Sequence, residues 1–244
     1  MQPEFLECLP ADLAQLVLET EQSIGFPIEV VVVPQRAGGL PGQTDPMACE
    51  VEKDSARMLV ASNDQFRPSS VLHELLHIRR FLVDGVPKLV DDSDYMPWTP
   101  AIRTACTLHD NSFEHLVIVP LELRAFPESR DHWEAVMARG WEGLAAGEGN
   151  AVERRQFGLM AWAFLRLILP DSPTLEVARA VLESSNQLEA AEQFCTELFP
   201  LLDKKEAAIR VWLRHQQVPF EMVSFRYLDP REQRAWETAI EAVE

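Results

Sequence analysis

The chain has 244 residues, of which 47% are apolar, and its 22 basic and 39 acidic side chains give a formal charge of −17 at neutral pH. This length and apolar content predict one large folded domain or two small ones, and they exclude a disordered chain. So acidic a surface repels phosphate groups, and the sequence has no basic cluster that would offset it. The composition therefore argues against nucleic acid and against anionic membranes as partners.

The sequence also argues against a membrane span and a secretory signal. The longest apolar stretch, Leu159 to Leu169, is interrupted by Arg166 and is shorter than the roughly 18 to 20 residues of a spanning helix. The first ten residues carry Glu4 and Glu7 and no basic segment before an apolar core. Four cysteines are far apart and form no disulfide or zinc-binding pattern: Cys8, Cys49, Cys106 and Cys195. We therefore expect reduced thiols and a cytoplasmic location.

The first sixty residues predict one helix and three strands. Apolar residues recur at helical spacing over Ala11 to Ser23, and a β-branched run at Ile28 to Val33 predicts a strand. Ala48 to Glu52 and Arg57 to Ser62 flank a polar turn, as the strands of a hairpin do. The glycine- and proline-rich segment Gln35 to Pro46 predicts a mobile loop.

The remaining sequence predicts helices. A proline and two serines introduce a helix over Val71 to Val83, and a second runs from about Thr99 to Val119, where Pro120 is expected to end it. Six more helices are expected further on: Arg130 to Leu144, Ala151 to Leu169, Thr174 to Ser184, Leu188 to Leu202, Lys204 to Gln216 and Pro230 to Val243. The fold class is therefore α+β, with a small mixed sheet packed on the helix at Val71 and a helical C-terminal part. The change in character near residue 145 suggests domains over 1–145 and 146–244.

The helix over Val71 to Val83 contains the motif HExxH, formed by His73, Glu74 and His77. Residues four apart lie one turn apart on the same helix face, so both imidazoles can bind one metal ion at about 2 Å. Glu74 is rotated by roughly 100° from His73, and its carboxylate is suited to take a proton from a water molecule held by that metal. The motif lies on an apolar-periodic helix after a strand and a turn, which is the setting that it requires.

The HELLH sequence, which follows a small strand-rich segment, resembles the motif of the zincin metallopeptidases. The resemblance covers residues 25 to 120 and implies a zinc ion on His73 and His77, with Glu74 as the catalytic base. It also implies that an edge strand beside the motif helix binds an extended peptide, a role that we assign here to Arg57 to Ser62.

The resemblance requires a third zinc ligand. The metzincins place a glycine and a third histidine shortly after the motif, and this chain has neither there. The gluzincins take a glutamate from a following helix, and Glu114 fits that arrangement, with Asn111 as a residue that supports the ligand. The position four residues after Glu114 is an isoleucine and not the aspartate of the thermolysin-like members, and Asn111 is expected to take part of that role. His115 and Asp110, or another carboxylate, are the alternative third ligands.

The chain is also similar, in scale and compartment only, to compact zincins of the ImmA/IrrE type. Their motif is HExGH, whereas this chain has Leu76 at the glycine position. A peptidase further needs a group that stabilises the oxyanion, for which His115 and Tyr95 are candidates.

These observations predict a zinc-dependent peptidase of the gluzincin type that acts on a peptide or protein substrate. Two alternatives stay open at this point. One is a silent zincin scaffold that binds a protein partner through its helical C-terminal part. The other is a zinc hydrolase that acts on something other than a peptide bond.

Overall fold

A computed structural model describes residues 1–33, 47–92, 94 and 98–241, and the protein is of the α+β class. The chain forms two compact units, one of Met1–Lys88 with Arg226–Glu237 and the other of Leu89–Phe225 with Thr238–Glu244. The predicted domain boundary at residue 145 lies inside the second unit and stays a prediction. The predicted loop over Gln35 to Pro46 lies outside the described residues.

The first unit contains the predicted helix and the three predicted strands. Its elements are α1 (Pro3–Leu6), α2 (Ala11–Ile24), β1 (Ile28–Val32), β2 (Met47–Glu52), β3 (Ser55–Val60) and α3 (Pro68–Leu82). Gly25 ends α2 in the left-handed conformation, with φ of 85°. The described strands form a sheet in the order β1-β3-β2, with β1 parallel and β2 antiparallel to β3. The expected hairpin is therefore confirmed.

The sheet order corrects the expected edge strand. Arg57 to Ser62 falls largely on β3, which pairs with β1 on one side and β2 on the other, so its backbone groups are already used and the expectation was wrong. In the described sheet, the edge strands are β1 and β2. At the outer edge of β1, the Gln2 side-chain amide donates to the Val30 carbonyl at 2.9 Å and accepts from the Val30 N–H at 3.0 Å.

Helix α3 packs against β2 and is anchored by its apolar face. Val71, Leu75 and Ile78 have no exposed surface, which fixes the rotation of the helix against the sheet. At its C-terminal end the Arg79 guanidinium donates to the buried Thr20 hydroxyl at 2.8 Å and ties α3 to α2. The motif helix is therefore held on two sides within its own unit.

The second unit contains six further helices among the described residues, five of them close to the predicted ranges. They are α4 (Pro100–Ala125), α5 (Ser129–Ala145), α6 (Ala151–Ile168), α7 (Thr174–Ser184), α8 (Leu188–Leu198) and α9 (Lys205–Gln216). Trp141, Trp162 and Trp212 are almost fully buried in its core. None of the described helices is long and apolar enough to cross a membrane.

Helix α4 continues past the proline that was expected to end it, so that boundary was wrong. Pro120 lies inside the helix, which runs to Ala125. A proline removes one hydrogen bond from a helix and its ring clashes with a carbonyl of the preceding turn, but packing can offset that cost. Here Glu122, in the last turns of α4, is buried and accepts a hydrogen bond from the Trp133 indole on α5 at 3.2 Å.

The expected C-terminal helix over Pro230 to Val243 was wrong, because the described part of that range contributes a strand to a second sheet. This sheet contains β4 (Lys88–Asp91), β5 (Val223–Asp229) and β6 (Arg234–Ala239) in the order β4-β5-β6. The residues of β6 have good helix propensity, but the turn before them decides the structure. The Asp229 carboxylate accepts from the backbone N–H groups of Arg231 and Glu232, and Gln233 adopts a positive φ of 48°.

Candidate metal centre

The two motif histidines lie side by side on α3. His73 and His77 are one turn apart, each is 4% exposed, and their ring centroids are 5.0 Å apart. The ring of Phe81, a further turn along, stacks against His77 with an interplanar angle of 19°. Buried imidazoles lack the solvation that surface histidines have, so polar partners or a cation must compensate for the lost hydrogen bonds to water.

Glu74 lies between the two histidines in sequence, and its side chain is buried on the side of α3 that meets β2. It is 5% exposed, and the Cys49 thiol of β2 hydrogen bonds to its carboxylate. Burial, followed by the charge and hydrogen bond of Glu74, raises the pKa of the Cys49 thiol well above its ordinary value. Cys49 is therefore a neutral thiol that donates to the carboxylate, which leaves Glu74 oriented by a strand as well as by its helix.

His115 lies half-buried on α4 and is bordered by an aromatic ring from α5. The Trp133 ring meets the imidazole edge-on, with centroids 5.0 Å apart. Because the Trp133 indole also donates to the buried Glu122 carboxylate, the indole cannot turn without losing that hydrogen bond. The contact with the Trp133 ring therefore restricts the rotation of the His115 imidazole.

Three histidines among the described residues form a group that could hold a metal ion: His73, His77 and His115. Each offers one ring nitrogen, and these atoms all lie within 4.8 Å of one another. Imidazole nitrogens are favoured zinc ligands, and three protein ligands are the number that leaves a position open for water or substrate. The donor set therefore fits a zinc ion of the catalytic kind.

Glu114, the predicted third ligand, is not a member of this group. It is fully buried on α4, and its carboxylate lies 2.8 Å from the Lys205 ammonium of α9. The predicted role of Glu114 as a ligand stays a prediction, while the grouping favours its neighbour His115, which the sequence suggested as an alternative.

Asp110, the other rival ligand, takes part in the same ion pair. Its carboxylate lies 2.5 Å from the Lys205 ammonium and accepts a hydrogen bond from the Leu89 N–H at 2.9 Å. Burial, and to a lesser degree the neighbouring Glu114 carboxylate, raises the pKa of Asp110, although Lys205 acts in the opposite direction.

The remaining predicted site residues are only partly described. Asn111 lies half-buried on α4, one turn before His115. Tyr95, the predicted oxyanion residue, lies outside the described residues. The fold also makes three residues relevant that the sequence gave no reason to select: Cys49, Trp133 and Lys205. Their partners are distant in sequence, and no motif spacing marks them.

Comparison of the chain with protein-family models, with curated proteins and with solved structures found no match. The resemblance to the zincins therefore depends on the HExxH residues and their surroundings in this chain alone.

Proposed function

We propose that the protein is a zinc-dependent hydrolase that cleaves peptide bonds. The observation that carries the proposal is the group of His73, His77 and His115, with the buried Glu74 carboxylate adjacent to His73 on α3. A purely structural zinc site has four protein ligands and needs no base beside them. Three imidazoles with a neighbouring carboxylate instead support catalysis.

His115 is our choice for the third ligand in place of Glu114. Its ring nitrogen belongs to the three-histidine group, whereas the Glu114 carboxylate is engaged by Lys205. Three neutral imidazoles also leave the full charge of the metal available to the reaction. Substitution separates the two assignments, because His115→Ala should abolish stoichiometric zinc binding and Glu114→Gln should retain it.

Glu74 would act as the general base and then as the general acid. A zinc ion on the three histidines would polarise the scissile carbonyl and lower the pKa of a water molecule towards about 7. The Glu74 carboxylate takes a proton from the attacking water and returns it to the nitrogen of the leaving amine, so the peptide bond breaks without a net change in the protonation of Glu74. The hydrogen bond from Cys49 orients the carboxylate for this transfer.

Strand β2 is the best candidate for binding an extended peptide. It is an edge strand of the described sheet and packs against α3, which carries the motif. A peptide that adds to such an edge gains backbone hydrogen bonds whatever its sequence. The formal charge of −17 favours substrates that carry basic residues.

A cytoplasmic location remains part of the proposal. All four cysteines are free in the structure, and two of them, Cys106 and Cys195, are buried. This pattern suits a reducing compartment, where thiols are not paired.

Cleavage of a mixed peptide library, followed by mass spectrometry, tests the proposal. The zinc-loaded protein should produce fragments that Glu74→Gln, loaded with the same amount of zinc, does not. Glu74→Gln preserves size and the capacity to accept a hydrogen bond, so it is a matched control for folding. Equal fragment yields from the two proteins, or no cleavage at full zinc occupancy, would contradict the proposed activity.

A further inference from the structure

The second unit contains a buried group of three charged side chains, Lys205, Asp110 and Glu114, which we call the lysine triad. The Lys205 ammonium lies 2.5 Å from Asp110 Oδ1 and 2.8 Å from Glu114 Oε1. Each of the three residues is less than a tenth exposed. The Leu89 N–H of β4 also donates to Asp110, so the triad connects β4, α4 and α9.

Each member of the triad lies where a charge is unfavourable without the others. Lys205 is the first residue of α9, and the N-terminus of a helix carries a partial positive charge that disfavours an ammonium. Asp110 and Glu114 are four residues apart on α4, the spacing at which two like charges repel. Burial adds a desolvation cost, and apolar residues of similar size can replace buried ion groups without loss of stability. Stability alone therefore does not explain the triad.

The position of the two triad carboxylates on α4 indicates a different role. Glu114 directly precedes His115, and Asp110 lies one turn earlier on the same helix. A cation that binds both carboxylates fixes the rotation of this turn. It also engages a carboxylate that would otherwise be a strong zinc ligand next to His115.

We propose, on the basis of the metal centre proposed above, that Lys205 is a positioning residue for that centre. Lys205 holds the turn of α4 that presents His115 and keeps the Glu114 carboxylate from the metal ion. Residues that orient ligands in this way alter metal affinity by about 10- to 100-fold when they are replaced.

Zinc affinity and the absorption spectrum of the Co²⁺-loaded protein test the proposal on the full chain. Lys205→Met should raise the Kd for zinc about 10- to 100-fold, because the turn that presents His115 is no longer held. It should also shift the Co²⁺ bands, because Glu114 becomes available as an oxygen ligand. Lys204→Met, the same change at the exposed neighbouring residue, should leave both unchanged. Thermal melts establish that each variant is folded under the conditions of the measurement.

Two further variants keep the test decisive if Lys205→Met does not fold. Lys205→Met with Asp110→Asn leaves only Glu114 charged, so the altered Kd and spectrum should persist. Adding Glu114→Gln removes the competing ligand and the last buried charge, so the Co²⁺ bands should return to those of the parent protein. The Kd for zinc should stay raised, because no cation holds the turn of α4.

A folded Lys205→Met protein, or a folded double variant, with the Kd and Co²⁺ spectrum of the parent would overturn the positioning role of Lys205. It would leave the proposed metal centre standing. A parent protein that binds neither zinc nor Co²⁺ would instead contradict the metal centre, and the positioning role would fall with it.

Discussion

The buried histidine His109 allows a quantitative prediction that does not depend on a metal ion. It lies on α4, with its ring centroid 4.5 Å from that of Trp212 and its Nε2 atom 3.2 Å from Gln156 Oε1. Burial lowers its pKa from 6.5 to about 4, because the surrounding groups cannot solvate an imidazolium as water does, and the hydrogen bond to Gln156 offsets only part of this effect.

The sign of the effect on stability follows from which state binds the proton. Between pH 6.5 and about 4 the unfolded chain binds a proton at His109 that the folded protein does not, so acidification favours unfolding. At about 1.4 kcal/mol per pH unit, the loss from this residue is about 3 kcal/mol by pH 4. Above pH 6.5 the residue is neutral in both states and contributes no pH dependence.

His109→Phe keeps an aromatic ring beside Trp212 and removes the titration. Denaturant unfolding at pH 7, 5.5 and 4 should show the variant less stable at pH 7 by about 1 kcal/mol, because Gln156 loses its partner. It should be more stable than the parent by about 2 kcal/mol near pH 4, where the parent has lost about 3 kcal/mol at this residue. A stability difference that is independent of pH would refute the reasoning, as would an NMR titration midpoint of the His109 ring near 6.5.

Two other substitutions test the packing of the second unit. Trp133→Phe should lower the free energy of unfolding by about 1 to 3 kcal/mol, because the buried Glu122 carboxylate loses its indole donor; unchanged denaturation would show that the hydrogen bond contributes nothing. Asn150→Ala removes the side chain that accepts from the Val152 and Glu153 N–H groups at the start of α6, and should cost about 1 kcal/mol in the same assay. Asn150→Asp, which can still cap the helix, is its control, and equal losses in the two variants would contradict the capping role.

The sequence predicted the parts of the fold that depend on local pattern. Helix α3 was predictable because Pro68 begins it and its apolar residues recur at helical spacing, and the hairpin because a polar turn separates β2 from β3. His73, Glu74 and His77 followed from one helical turn, since their relation is local.

The parts that the sequence did not predict depend on tertiary contacts or on competition between local preferences. Strand β6 has residues of good helix propensity, and the Asp229 turn and pairing with β5 override it. Helix α4 passes Pro120 because packing beyond the proline offsets the lost hydrogen bond. Sequence spacing could not decide between Glu114 and His115, because neighbouring residues on a helix point about 100° apart and the partner of each, Lys205 or Trp133, is supplied by a distant segment.

The most direct test of the central claim is the zinc content of the purified protein, measured by elemental analysis on the parent, His73→Ala and Glu74→Gln. A metal centre on the three histidines, with Glu74 as base and not ligand, predicts about one zinc per chain in the parent and in Glu74→Gln, and almost none in His73→Ala. A parent protein that holds no zinc after reconstitution, or a His73→Ala variant that retains it, would contradict the account.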